Sequence, residues 1–140
     1  MAEALLEKID GTNFQAFSAG TSPAHLHPFA LEVMNEMGLR LTPKTSRPLT
    51  EWRKEGIDIA ITLGDTTSSP SPDFPAVENI HWKFDNPLES ADPEKQLRVF
   101  RAVRDQIAQR LRLFAIVEVR AQSPRDVSVT SAERQIAAGA

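Results

Sequence analysis

DIAITLGDTTSSPSPDFP, residues 58–75, is the stretch that decides the fold of this chain. Its apolar, β-branched run IAITL (59–63) is followed by turn residues, a pattern typical of a strand buried on both faces of a parallel sheet. Gly64 and Asp65 end the predicted strand, and the proline-rich remainder favours neither helix nor strand. Because ligands bind at the carboxyl ends of strands in open α/β sheets, chemistry is expected in this loop. The loop nevertheless contains no evident nucleophile and no pair of acids.

The rest of the chain alternates helical and strand patterns around this segment. Apolar spacing predicts helices over residues 1–9, 23–38, 50–54 and 93–114, and strands over residues 13–18 and 78–84. This alternation indicates an α/β fold, a parallel sheet with helices on both faces. We expect one domain over residues 1–120 and a flexible tail over residues 121–140. The arginine-rich face of the last helix is interpreted as solvated, with Arg98, Arg101, Arg104 and Arg110.

The composition of the chain excludes several classes of function. The chain has 140 residues, a net charge of −3 and no cysteine, so disulfides, cysteine nucleophiles and thiolate metal sites are excluded. Its basic residues are scattered, which predicts no nucleic-acid or membrane partner. The acidic first residues lack the features of a signal peptide, and a cytoplasmic location is expected. No cofactor and no metal site is predicted, since His25 and His27 cannot share one helix face.

Five short motifs, in order and at matching separations, identify a family resemblance: FSAGT (17–21), TLGD (62–65), SPDFP (71–75), HWKFDNP (81–87) and FRAVRDQI (100–107). At these positions the chain resembles thioredoxin-coupled arsenate reductases, which share the fold of low-molecular-weight protein tyrosine phosphatases. The resemblance covers residues 1 to about 114. It implies the phosphotyrosine phosphatase I type of parallel sheet.

The resemblance also implies a mechanism whose reactive residues this chain lacks. The family uses a Cys-x5-Arg loop that holds an oxyanion on backbone N–H groups, and that loop would lie upstream of residue 1. The two resolving cysteines of arsenate reductases correspond to Gly64 and Ser71, at the same spacing of seven residues. The general-acid aspartate corresponds to Asn86, which cannot donate a proton usefully at neutral pH. These three positions are degenerate equivalents of catalytic residues.

A second departure concerns the cation site that many members of the family keep. Its matching positions are Glu3, Ser18 and Thr45, with Arg47 in place of the family's aspartate. Two interpretations of this vestigial site stay open. The Arg47 guanidinium replaces the cation and pairs with Glu3, or it points into water.

The resemblance further implies that the first, central strand of the sheet is missing. Without it, the strands over residues 13–18 and 58–64 would face each other across an empty position. Unpaired backbone groups there cost about 1–3 kcal/mol each when buried. The segment FAIVEV (114–119) either fills the position, from its own chain or from a partner in a homodimer, or merely extends the last helix.

Three functional interpretations follow. The first is a degenerate, catalytically inactive member of the family that serves as a binding or regulatory module for an unknown protein partner. The alternative is the C-terminal part of an arsenate reductase or phosphatase whose Cys-x5-Arg loop comes from an upstream segment or another chain. A third is a non-functional gene remnant.

Overall fold

The computed structural model describes residues 1–20, 25–42, 47–65, 74–122 and 134–139 of the chain. The elements, in chain order, are α1 (Ala2–Asp10), β1 (Phe14–Gly20), α2 (Pro28–Glu36), β2 (Arg47–Pro48), α3 (Leu49–Trp52), β3 (Ile57–Asp65), β4 (Ala76–Phe84), α4 (Pro93–Gln122) and β5 (Arg134–Gly139). Among these described residues, no helix combines the length and the apolar character needed to cross a membrane.

The five strands form one parallel sheet in the order β2-β1-β5-β3-β4. Alternate residues of β3 enter two separate apolar clusters, as expected when successive side chains point to opposite faces of a sheet. Ile59 and Ile61 pack in the larger cluster with residues of α1, α2 and α4. Ala60 packs in the smaller cluster with Trp52 of α3. The predicted α/β fold, with helices on both faces, is confirmed.

The crossover connections share one hand. The steps from β1 to β2 and from β4 to β5 run in the same direction across the sheet, and their helices α2 and α4 pack together on one face. The step from β2 to β3 runs in the opposite direction, and α3 packs in the cluster on the other face. A single hand is expected because nearly all parallel crossovers are right-handed.

The central position of the sheet holds β5, an element that sequence reasoning missed. In β5, Ile136 pairs with Ala16 of β1 on one side and with Ile59 of β3 on the other. The prediction of a flexible tail over residues 121–140 is therefore wrong for the part of this segment that the structure describes, because α4 continues to Gln122 and residues 134–139 lie in the sheet. Six residues rich in alanine and glycine gave little strand signal, and long-range pairing decided their conformation.

The segment 114–119 does not fill the central position, so the strand interpretation of it is wrong. It extends α4, which runs unbroken over Pro93–Gln122. The reason is that the helical apolar stripe continues: the Phe114 ring centroid lies 5.6 Å from that of Phe14 and 6.4 Å from that of Trp82. Ala115 is buried in the same cluster.

The arginine face of α4 is only partly solvated, which corrects the prediction for Arg104. Arg104 is 9% exposed and fastens α4 to the end of α2. Its Nη1 atom donates to the Val33 carbonyl at 2.8 Å and to the Glu36 carboxylate at 2.9 Å. Arg101 adds a bidentate pair to the same carboxylate, with its Nη2 2.7 Å from Oε1. The α2–α4 contact is therefore polar at its rim and apolar below.

Replacing the Glu36 carboxylate should make the free energy of unfolding depend less on pH in the acid range. The hydrogen bond from Arg101 lowers the pKa of Glu36, and Arg104 lowers this pKa further. A depressed folded-state pKa contributes stability that is present above the ordinary glutamate pKa and is lost as pH falls through the folded-state pKa. In urea unfolding, Glu36→Gln should lower stability at neutral pH and converge with the unsubstituted protein in acid. Glu89→Gln, at an exposed loop position, is the matched control. If Glu36→Gln lowers the free energy of unfolding by the same amount at all pH values, the Glu36 carboxylate is not the source of the pH dependence.

Blocking the backbone of β5 should destabilise the whole domain. Ala137 pairs with Phe17 and with Ala60, and a proline there removes an N–H from the centre of the sheet. Ala137→Pro should lower the free energy of unfolding by about 1–3 kcal/mol or more. Ala137→Gly keeps the N–H and should cost only about 0.5–1 kcal/mol. Equal stability of the two variants, or fast amide exchange across residues 134–139, would contradict the central placement.

Candidate functional site

The candidate site lies at the carboxyl edge of the sheet, because parallel strands all end on the same side. Asp65, the last residue of β3, is paired with Phe84, the last residue of β4. Gly64 is opposite Lys83 in the same ladder. The loop segment that begins after Phe84 therefore passes beside the end of β3, where open α/β sheets bind ligands.

Asn86 occupies this edge and makes contacts on two sides. Its Nδ2 atom is 3.4 Å from Oδ2 of Asp65, and its Oδ1 atom accepts the backbone N–H of Leu88 at 2.9 Å. The second contact closes an Asx turn, a role typical of asparagine in loops. The amide thus links the ends of β3 and β4 and shapes the following turn. It offers no proton for acid catalysis.

The structure places the two predicted resolving positions differently. Gly64 lies within β3, half-buried, and its backbone belongs to the ladder with β4. Ser71 lies outside the described residues. Of these two positions, the structure thus describes only Gly64, and glycine has no side chain that could take part in a reaction.

The structure brings together two of the four residues of the predicted cation site, Glu3 and Ser18. Glu3, in the first turn of α1, accepts a hydrogen bond from the Ser18 hydroxyl near the end of β1. Thr45 lies outside the described residues. Arg47 is exposed, and its guanidinium carbon lies 5.1 Å from the centroid of the Trp52 ring. The Arg47 guanidinium therefore lies over an aromatic face while the residue stays exposed.

Trp52 is a residue that sequence reasoning missed. It is buried, and its ring centroid lies 4.5 Å from that of Phe17 in β1. Within the described part of the chain, its indole Nε1 is the one buried side-chain nitrogen or oxygen without a hydrogen-bond partner. The sequence alone does not predict that Arg47 stacks on Trp52, five residues later. The contact depends on how α3 packs against β1.

Metal-ligating side chains do not cluster at this edge in the part of the chain that the structure describes. No group of three or more His, Cys, Asp or Glu side chains is close enough to hold a metal ion there. The His27 Nδ1 atom accepts the N–H of Phe29 as the cap of α2, and its ring stacks 5.0 Å from that of Phe100. His27 therefore serves helix capping and packing.

Comparison with known proteins identifies the family to which this fold belongs. The sequence pattern of the low molecular weight phosphotyrosine protein phosphatase family matches residues 1–125. The chain belongs to this family. Within the family, an arsenate reductase from Halalkalibacterium halodurans is 34% identical over 118 residues, which cover 82% of this chain and 84% of that protein. An arsenate reductase from Bacillus subtilis is 32% identical over 117 residues, covering 82% and 84%.

A solved structure supports the same assignment at the level of the fold. The arsenate reductase of Archaeoglobus fulgidus superposes with a TM-score of 0.63 at 21% sequence identity. The match covers 81% of this chain and 86% of that one. This phosphatase-family member therefore keeps the parallel sheet and helical layers of its relatives.

Restoring an acid at position 86 should create a like-charge pair. Asn86→Asp keeps an acceptor for the Leu88 N–H but puts a second carboxylate beside Asp65. Two charges about 4 Å apart in water repel by about 1 kcal/mol, so the variant should lose roughly this stability between mildly acid and neutral pH.

A double-substitution cycle tests that contact. Asn86→Asp in an Asp65→Asn background should show no such pH-dependent loss, since one charge of the pair is gone. An equal loss in both backgrounds, measured by urea unfolding, would show that the two side chains do not interact.

Proposed function

We propose that this chain is a non-catalytic member of the low molecular weight phosphatase family and serves as a binding or regulatory module for another protein. One observation carries the proposal: the 140 residues contain no cysteine. The chemistry implied by the family resemblance runs through a thiolate nucleophile, and no other side chain of the described edge is arranged to replace it.

The contacts at the edge support this proposal. Asn86, which the family resemblance matches to the general acid, contacts Asp65 through its amide nitrogen and accepts the N–H of Leu88. Gly64 stands at the position of a resolving cysteine, inside the β3–β4 ladder. Groups that would perform chemistry in the family thus serve turn formation and strand pairing here.

The alternative is that a Cys-x5-Arg loop is supplied by an upstream segment or by another chain. The placement of β5 favours the non-catalytic proposal over this alternative. Any added central strand would have to displace β5 from its pairing with both β1 and β3. A cytoplasmic location belongs to the proposal and is supported by the acidic, cysteine-free composition.

The direct test is turnover. The folded protein, incubated with thioredoxin, thioredoxin reductase and NADPH, should show no arsenate-dependent NADPH oxidation above a heat-treated sample. With p-nitrophenyl phosphate it should release no p-nitrophenol above the same background. The arsenate reductase of Bacillus subtilis, assayed in parallel, shows that the coupled system works.

Two outcomes would contradict the proposal. Arsenate-dependent oxidation of NADPH by the purified chain alone would overturn it. So would activity that appears when an upstream segment or a second protein is added, because the alternative would then account for the chain.

A further inference from the structure

An open groove lies between the C-terminal ends of α1 and α4, away from the carboxyl edge. Both helices lead toward strands of a parallel sheet, so both end at its amino edge. The groove has a volume of about 480 Å³. Its apolar part is formed by Ile9, Ala115, Ile116 and Val119, and Arg112 and Arg120 stand beside them. We call this surface the α1–α4 groove.

Apolar side chains continue from the groove onto the outer face of α4. Leu113, Ile116 and Val117 are 60%, 50% and 62% exposed. Their spacing of three and four residues places them next to one another on the helix surface. A contiguous exposed apolar surface of this kind, rimmed by charge, is typical of a site for another macromolecule.

The side chains that line the groove carry a net positive charge, with Arg112 and Arg120 against Asp10. Within the described residues, Arg112 and Arg120 make no ion pair or hydrogen bond. Asp10 is the one carboxylate of this lining, and it accepts the backbone N–H and the side-chain amide of Asn13 at 3.1 and 2.9 Å. Asn13 is neutral, so Asp10 keeps its negative charge and the two arginines outnumber it by one. Two cations eight residues apart on one helix lie about 12 Å apart along its axis. This local positive charge contrasts with the net charge of −3 on the whole chain.

We propose that the α1–α4 groove binds an amphipathic helix of another protein, with apolar residues against Ile116 and Val119 and carboxylates at Arg112 and Arg120. Helix-in-groove binding uses this combination of an apolar face and flanking charge. Arginine is also well suited to carboxylates, which it binds through two parallel N–H groups. The inference names the surface and the partner chemistry of the binding module proposed above and rests on that part of the proposed function. The site is separate from the carboxyl edge, so the inference does not depend on the loss of catalysis.

Charge and shape select this occupant over two others. A symmetric contact between two copies would bring together two surfaces that both carry a net positive charge, since Arg112 and Arg120 outnumber Asp10 on each. A membrane surface cannot enter a concave site between two helices, and two arginines give it little electrostatic attraction. An acidic helix satisfies both the concave shape and the positive charge.

Fluorescence anisotropy of the full chain with a designed probe tests the proposal. The probe is a fluorescein-labelled peptide of about 18 residues of leucine, alanine and glutamate, with the leucines on one helical face and glutamates beside them. The control peptide has lysine at every glutamate position. We expect saturable binding of the acidic probe at least about tenfold tighter than that of the lysine peptide, and weaker at high salt.

Variants locate the binding surface. Arg112→Glu with Arg120→Glu should weaken binding of the acidic probe at least about tenfold. The matched control, Arg53→Glu with Arg98→Glu, makes the same charge change at exposed positions outside the groove and should alter affinity less than about twofold. Ile116→Ser should weaken binding in the same way, whereas Leu88→Ser, at an exposed leucine elsewhere, should not.

Four outcomes would overturn the proposal. They are equal affinity for the two peptides, equal effects of the groove and control variants, self-association that Ile116→Ser abolishes, and groove-dependent binding to phosphatidylserine vesicles in place of the peptide. The third would assign the groove to a second copy, and the fourth to a membrane surface. None of these readouts measures catalysis, so failure here is distinguishable from failure of the proposed function.

Discussion

Backbone pairing at the central position of the sheet is the constraint on which the rest of this structure depends. β1 and β3 both present hydrogen-bonding edges to that position, and neighbouring strands must lie about 4.8 Å apart to bond. β5 fills it in parallel register with both neighbours. Left empty, the same position would expose two inner strand edges in the middle of the domain, where unpaired N–H and C=O groups are most costly.

The two edges of this sheet differ in the side chains that they present. At the carboxyl edge, the side chains that remain hold structure: Asn86 links β3 to β4, and Ser18 links β1 to α1 through Glu3. At the opposite edge, the last turns of α4 leave apolar and cationic side chains uncovered. This phosphatase-family fold thus has Gly64, Asp65 and Asn86 at one edge of its sheet and an exposed apolar and cationic surface at the other.

The elements with strong local patterns were predictable, and those defined by distant partners were not. The continuous apolar run over residues 59–63 predicted β3, and the helical period of the apolar residues over 93–114 predicted most of α4. Arg104 looked like one member of a solvated face, but the end of α2 covers it and supplies the Val33 carbonyl and Glu36. A sequence window on α4 contains neither partner.

The sequence by itself determined the fold class, the family and the absence of cysteine from these 140 residues, since these follow from strand–helix alternation, ordered motifs and residue identity. Gly64 and Asn86 cannot act as thiol or acid in any conformation. Only the tertiary structure decided which segment became the central strand, that Arg47 stacks on Trp52, and that residues 114–119 stay helical. The physical reason is that each of these depends on pairing or packing between segments far apart in the chain, where local propensity is too weak to choose.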